Sequence, residues 1–183
     1  MIDNEKSRKW EILSSEYICK RPWLTARRDT VRLPDGRVNP EYYVLEYPEW
    51  VNVIAITRDG KFVMERQYRH AVEMTCYELP CGVMEKGETP EQAAKRELEE
   101  ETGYVGGTWK ELMSICQNPG SMNNFTHCFL AVDVVPEGKV HLDSTEELQV
   151  HLLTREEVLW LLRENKIIQA LQLAPLYRYF TGI

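Results

Sequence analysis

The sequence has little that would suit a membrane span, a nucleic-acid surface or a zinc site. Its longest apolar runs, such as Cys128 to Val132 and Val158 to Leu162, fall far short of the ~20 residues a spanning helix needs. The opening MIDNEKSRKW has no apolar core, so no export signal is expected. Basic residues number 22 against 29 acidic ones, a net charge of −7, which argues against a nucleic-acid backbone as the main partner. The five cysteines (Cys19, Cys76, Cys81, Cys116, Cys128) are odd in number and contain no CxxC pair. They read as reduced thiols, which points to the cytoplasm. His70, His127, His141 and His151 are too scattered for a zinc cluster. Repeats and low-complexity tracts are lacking as well.

What is present is a globular balance, 43% hydrophobic and 28% charged residues over 183 positions, enough for a self-sufficient core. Residues 1–45 read as a small β-rich unit: a strand over Thr25 to Leu33, a hairpin turn at Asp35-Gly36, and a return strand over Val38 to Leu45. From 46 to 183 the pattern predicts a second domain. Its strands fall at Trp50 to Thr57, Lys61 to Tyr68, Cys76 to Leu79, Trp109 to Cys116, Phe125 to Val135 and Leu148 to Leu153. Thr89, Pro90 and Gln92 form a capping-box start to one helix, and Gly103 stops it. Thr154 with Glu157 opens another, to about Glu164. A last helix over Ile167 to Phe180 carries Pro175 as a predicted kink or break. Strands before and between few helices indicate an α+β domain with a mixed sheet.

The chemistry concentrates between Gly82 and Tyr104. On a helix, Glu101 lies about 40° to one side of Glu97 and Glu100 about 60° to the other. Three carboxylates therefore crowd one stripe, with the small residues Ala93 and Ala94 one turn back and no lysine to relieve them. Glu99 points away and is expected to pair with Lys95. A run of glutamates usually forms a solvated face. The alternative is a divalent-cation site, since Mg²⁺ favours carboxylate oxygens and keeps waters for a phosphate substrate. Gly82 and Gly87 bracket a loop able to fold tightly against the helix.

Gly82, Glu88, Arg96, Glu97, Leu98, Glu100, Glu101 and Gly103 stand at the spacings of the Nudix signature, and the stretch resembles that hydrolase family. Tyr104 departs from it, aromatic where an aliphatic residue is usual, yet able to fill an apolar slot. Gln67-Tyr68-Arg69, Tyr77-Glu78-Leu79-Pro80 and Pro119, sixteen residues after Gly103, resemble the ADP-ribose pyrophosphatase branch. The resemblance implies a Nudix-type α/β/α sandwich with a mixed sheet, plus an N-terminal antiparallel β unit that makes a homodimer. It implies Mg²⁺, or Mn²⁺, held by Glu97, Glu101, Glu100 and the backbone carbonyl of Cys81. Arg96 would tie helix to loop through Glu88. Arg69 would contact the diphosphate, and Trp23 would stack the adenine across the dimer. The general base would come from the loop before the last strand, with Glu146 or Glu147 as candidates and Glu146 in the better register.

The implied reaction is hydrolysis of a nucleoside diphosphate sugar, ADP-ribose first, to AMP and ribose 5-phosphate. The branch often places a Glu five residues beyond Pro119, where this chain has Asn124. GDP-mannose or another sugar nucleotide therefore stands as an alternative substrate. A non-catalytic nucleotide-sugar-binding module is a third reading, and the complete carboxylate set speaks against it.

Overall fold

The structure, a computed structural model, describes residues 8–144 and 146–182. Residues 1–7 of the expected β unit, Thr145 of the acidic loop and Ile183 lie outside them. The chain forms two compact units. One contains the described residues up to Pro48 together with Asn118–Asn124, and the other contains Glu49–Gln117 and the described residues from Phe125.

The first unit is a three-stranded antiparallel sheet of β1 (Glu11–Arg21), β2 (Leu24–Arg32) and β3 (Val38–Glu46). The turn at Asp35-Gly36 joins β2 to β3, with Gly36 at positive φ as such a hairpin requires. β1 is a strand that the sequence pattern does not announce. Nearly all of its residues are exposed, so no inward face imposes an alternation. Cross-strand pairs give it its register instead: Arg28 Nη2 to Glu16 at 2.7 Å, Arg32 Nη1 to Glu11 at 2.7 Å, and Ser15 Oγ donating to the buried Asp29 at 2.6 Å.

The second unit is built on a mixed sheet. Its strands are β4 (Trp50–Thr57), β5 (Phe62–Arg69), β6 (Met74–Glu78), β7 (Cys81–Val83), β8 (Val105–Ile115), β9 (Thr126–Val135) and β10 (Leu148–Leu153). The main order is β10-β5-β4-β9-β8, with β6 on β5 and β7 on β4. β4 runs parallel to β9, and every other pairing is antiparallel.

Alternation along β4 divides the core. Val51, Val53 and Ala55 join the cluster of Ala93, Ala94 and Leu98 from α1 (Pro90–Thr102). Ile54 and Ile56 join Val158, Leu161 and Leu162 from α2 (Arg155–Arg163) and Leu176 from α3 (Ala170–Thr181). Helices thus cover both sheet faces, the expected α/β/α sandwich. Each fully buried Val, Leu or Ile side chain among these contributes about 2 kcal/mol.

α3 continues through Pro175 rather than breaking there. Proline has no N–H, so the carbonyl of Leu171, four residues back, loses its helical partner. Asn52 of β4 supplies a replacement, its Nδ2 donating to that carbonyl at 2.7 Å. Next to it, Gln172 accepts the Leu79 N–H at 2.9 Å and sends its Nε2 toward Cys81 Sγ at 3.5 Å.

Candidate metal centre and its carboxylates

The predicted capping box at Thr89 is present: Thr89 Oγ1 accepts the Gln92 N–H at 3.3 Å, and Gln92 Oε1 accepts the Thr89 N–H at 2.9 Å. At the other end Gly103 adopts φ 72° and returns its N–H to Glu99 at 2.7 Å. Only glycine takes that left-handed cap without strain. The small Ala93 and Ala94 let α1 lie close to the sheet, and the second half of the helix carries its carboxylates to β5 and β7.

Arg96 is the centre of a knot. Its Nε and Nη2 clasp both oxygens of Glu88 at 2.7 and 2.9 Å, and Nη2 also donates to the Val83 carbonyl at 2.9 Å. Nη1 reaches Glu97 at 2.8 Å and Glu100 at 2.9 Å. The expected tie from helix to loop through Glu88 is therefore present, and it holds the Glu88 carboxyl below its ordinary range. The stripe does have a cation beside it, contrary to the sequence expectation. Arg96 stands four residues before Glu100, a spacing that puts the two side chains next to each other on the helix, and the expectation considered only a lysine. The expected Lys95–Glu99 pair is absent too. Lys95 Nζ instead meets Glu91 at 2.6 Å, the better helical order with the acid N-terminal to the base. Glu99 accepts the Lys139 N–H at 3.3 Å.

Glu97 lies against β7. A Cβ on Gly82 would come within 2.2 Å of its carboxyl carbon, so the missing side chain is the space that the carboxylate occupies. Glu101, 7% exposed, accepts the Cys81 N–H at 2.9 Å, which places the Cys81 backbone beside it. Burial raises the Glu97 carboxyl above its usual value against the pull of Arg96. It raises Glu101 further, with the charges of Glu65 and Glu97 adding to the effect.

Glu65 was not singled out by the sequence. It sits on β5 at 3% exposure, within hydrogen-bond reach of the Glu101 carboxyl, and its Oε1 has no partner. Its own carboxyl is pushed above the normal range, chiefly by burial. The signal was available in the strand pattern. Val63, Glu65, Gln67 and Arg69 share one parity, so a carboxylate follows a buried valine on the inward face. The register sets Glu65 opposite Glu78 of β6, itself 3% exposed. Arg69 grips Glu78 with both arms of its fork, Nε to Oε1 at 2.8 Å and Nη2 to Oε2. Glu78 in turn raises the Arg69 guanidinium above its usual value.

Glu146 enters electrostatically: its charge raises the Glu65, Glu97 and Glu101 carboxyls. Its Oε2 accepts the Asp143 N–H at 2.9 Å. Glu147 is exposed and lines a separate polar depression with Arg66, Tyr68, Thr75 and Gln149. In the N-terminal unit, Trp23 stands in the turn between β1 and β2, 69% exposed. Asn124 donates to the Pro48 carbonyl at 2.9 Å.

Among the described residues no three acidic, His or Cys side chains are drawn together closely enough to hold a metal ion. The donor set nevertheless fits a hard divalent cation. It offers carboxylate oxygens, holds one buried oxygen with no partner, and packs like charges that repel until something positive lies between them.

Comparison with known proteins agrees with this geometry. A family model described as NUDIX domain matches residues 47–174, and one described as nucleoside diphosphate sugar hydrolase N-terminal domain matches residues 10–45. The ADP-ribose pyrophosphatase of Bacillus subtilis (strain 168) is 34% identical over 166 residues, covering 90% of this chain and 89% of the relative. The methanol dehydrogenase activator of Bacillus methanolicus is 36% identical over 164 residues, covering 89% and 85%. A solved ADP compounds hydrolase has the same fold, with a TM-score of 0.82 at 22% identity over 97% of this chain and 98% of its own. With its glycine, arginine and glutamates seated at the spacings of that signature, and a domain match across most of its length, the chain belongs to the Nudix hydrolase family.

Proposed function

We propose that the protein hydrolyses the diphosphate bond of a nucleoside diphosphate sugar, with ADP-ribose preferred and AMP and ribose 5-phosphate as products. The observation that carries this reading is the Arg96 knot, which holds Glu88, Glu97 and Glu100 on one side of α1 while Glu101 is held by the Cys81 N–H. Relatives named ADP-ribose pyrophosphatase and ADP-sugar pyrophosphatase support the choice of substrate.

Glu97, Glu101, Glu100 and the Cys81 carbonyl would hold Mg²⁺, or Mn²⁺. When bound, the ion supplies charge neutralisation of the diphosphate and acidifies water. Arg96 fixes the rotamers of Glu97 and Glu100 and, through Glu88, the loop that follows β7. Arg69, already anchored on Glu78, keeps its positive charge in place for the diphosphate oxygens, which suit a guanidinium fork. Glu146 takes the proton from the attacking water, and its charge already acts on the other carboxyls.

The exposed Ile12, Tyr17 and Ile18 of β1 support pairing with a second copy. Trp23 is then the proposed stacking partner for adenine, and sedimentation at micromolar concentration is expected to give a dimer. The proposed location is the cytoplasm, where the buried Cys76 and Cys128 stay reduced.

The deciding experiment is a panel of nucleoside diphosphate sugars with Mg²⁺, read as phosphatase-sensitive product. ADP-ribose is expected to turn over fastest. Absence of turnover on every member, with Mg²⁺ and with Mn²⁺, would overturn the reading.

A further inference from the structure

We propose that Glu65 is an additional carboxylate ligand for the divalent cation, contributed by strand β5 rather than by helix α1. The proposal rests on the cation-dependent reading given above and extends it to a residue outside the helical signature.

Six of the acidic side chains around α1 and β5 fall into two groups. Glu88, Glu97 and Glu100 are hydrogen-bonded to Arg96, and Glu78 to Arg69. Glu65 and Glu101 receive no guanidinium hydrogen bond. Glu101 has the Cys81 N–H. Glu65 has only the neighbouring Glu101 carboxyl, and its buried Oε1 meets no donor. Burying a carboxyl without a compensating partner is strongly unfavourable once it is ionised. Val63, two residues earlier on the same face, shows that this sheet surface accepts an apolar side chain without that cost. The nearby Arg69 acts on Glu65 only through space, its guanidinium being hydrogen-bonded to Glu78, so the Glu65 Oε1 is left without a donor. A hard cation held by Glu101 would lie within reach of the unpartnered oxygen and satisfy it.

The rival role is structural: Glu65 as a neutral acid that merely hydrogen-bonds Glu101. Glu65→Gln separates the two, because the amide can still donate to Glu101 but carries no ligand charge. The measurement is Mn²⁺ binding to the full chain without substrate, read as free Mn²⁺ by electron paramagnetic resonance. Glu65→Gln is expected to weaken Mn²⁺ about tenfold or more, without lowering the metal-free melting temperature. Should Glu65→Gln fail to melt cooperatively, Glu65→Val, matched to the apolar face beside it, is measured instead with the same expectation. Affinity within twofold of the parent overturns the proposal. Glu97→Gln serves as the reference. If Glu97→Gln weakens binding and the Glu65 variant does not, this proposal falls and the cation-dependent reading stands. If the parent itself binds no Mn²⁺ at millimolar concentration, both fall.

Discussion

Helices α1 and α2 begin alike and are used differently. Each starts from a threonine whose hydroxyl accepts an N–H three residues on, answered by a Gln or Glu side chain reaching back. Each lies on one face of the same sheet. α2 turns Val158, Leu161 and Leu162 inward and anchors the core. α1 turns in two alanines and one leucine, then Glu101, with Glu97 half-buried beside it. Local helix signals are therefore neutral about role. What distinguishes the working helix is that its inward face gives up apolar bulk for charge and accepts the instability that follows.

The largest break in this comparison comes from exchanging one residue on each helix. Glu97→Gln or Glu101→Gln is expected to reduce ADP-ribose turnover by on the order of a thousandfold, the several kcal/mol that cation-assisted catalysis supplies. The metal-free melting temperature should hold or rise, because a like charge is removed. Leu161→Ala in α2 should do the reverse, losing about 2–5 kcal/mol of stability while the folded fraction keeps its turnover. Glu99→Gln, off the stripe and bonded to the Lys139 N–H, should retain near-full activity. Initial rates and thermal melts of the same preparations check all four.

A smaller effect is expected from Gly82→Ala. The new methyl would meet the tip of a flexible side chain rather than backbone, so Glu97 can swing aside at little cost to folding. The carboxylate then leaves its place, and turnover should drop at least about tenfold with little change in melting temperature. A large loss of stability with unchanged specific activity would show that Gly82 serves packing and not the carboxylate.

The smallest effect is a slope. Glu65 and Glu101 bind protons more tightly in the folded chain than in the unfolded one. The folded state therefore carries the extra protons, and their contribution is complete at acidic pH and lost as pH rises through neutrality. Melting temperatures in chelator should fall as pH rises above about 5, continuing to about 8 for Glu65 and about 11 for Glu101, and Glu101→Gln should flatten that fall. α2 has no comparable buried carboxyl, so Leu161→Ala should leave the slope unchanged.

Much of this was legible in the sequence, for reasons that can be named. β4 was readable because its buried run Val53–Ile56 is wholly apolar, and α1 because its caps are local chemistry. The Gly82–Glu101 spacing fixed which carboxylates share a stripe. Long-range matters were not readable. That Arg96 also reaches the Val83 carbonyl depends on how the segment after β7 folds against α1. β1 has no buried face and so leaves no periodic trace. Glu65 shares its parity with the apolar Val63 and could have been found from it, but a lone glutamate in a strand reads as surface. Pro175 looked like a break because a sequence cannot show that Asn52, 119 positions from Leu171, takes up the orphaned carbonyl.

That last substitution reaches beyond the helix. Apolar packing is non-directional, so a helix lying on a sheet can ordinarily slip along it at small cost. α3 cannot. A slip would strip the Asn52 amide, the Leu171 carbonyl and the Leu79 N–H of partners together, about 1–3 kcal/mol for each group left dry. The segment Leu79–Cys81 is therefore indexed against the C-terminal helix, and Cys81 in turn presents the N–H that Glu101 accepts. The far end of the chain thus serves as the datum from which the carboxylates on the opposite side of the sheet take their position.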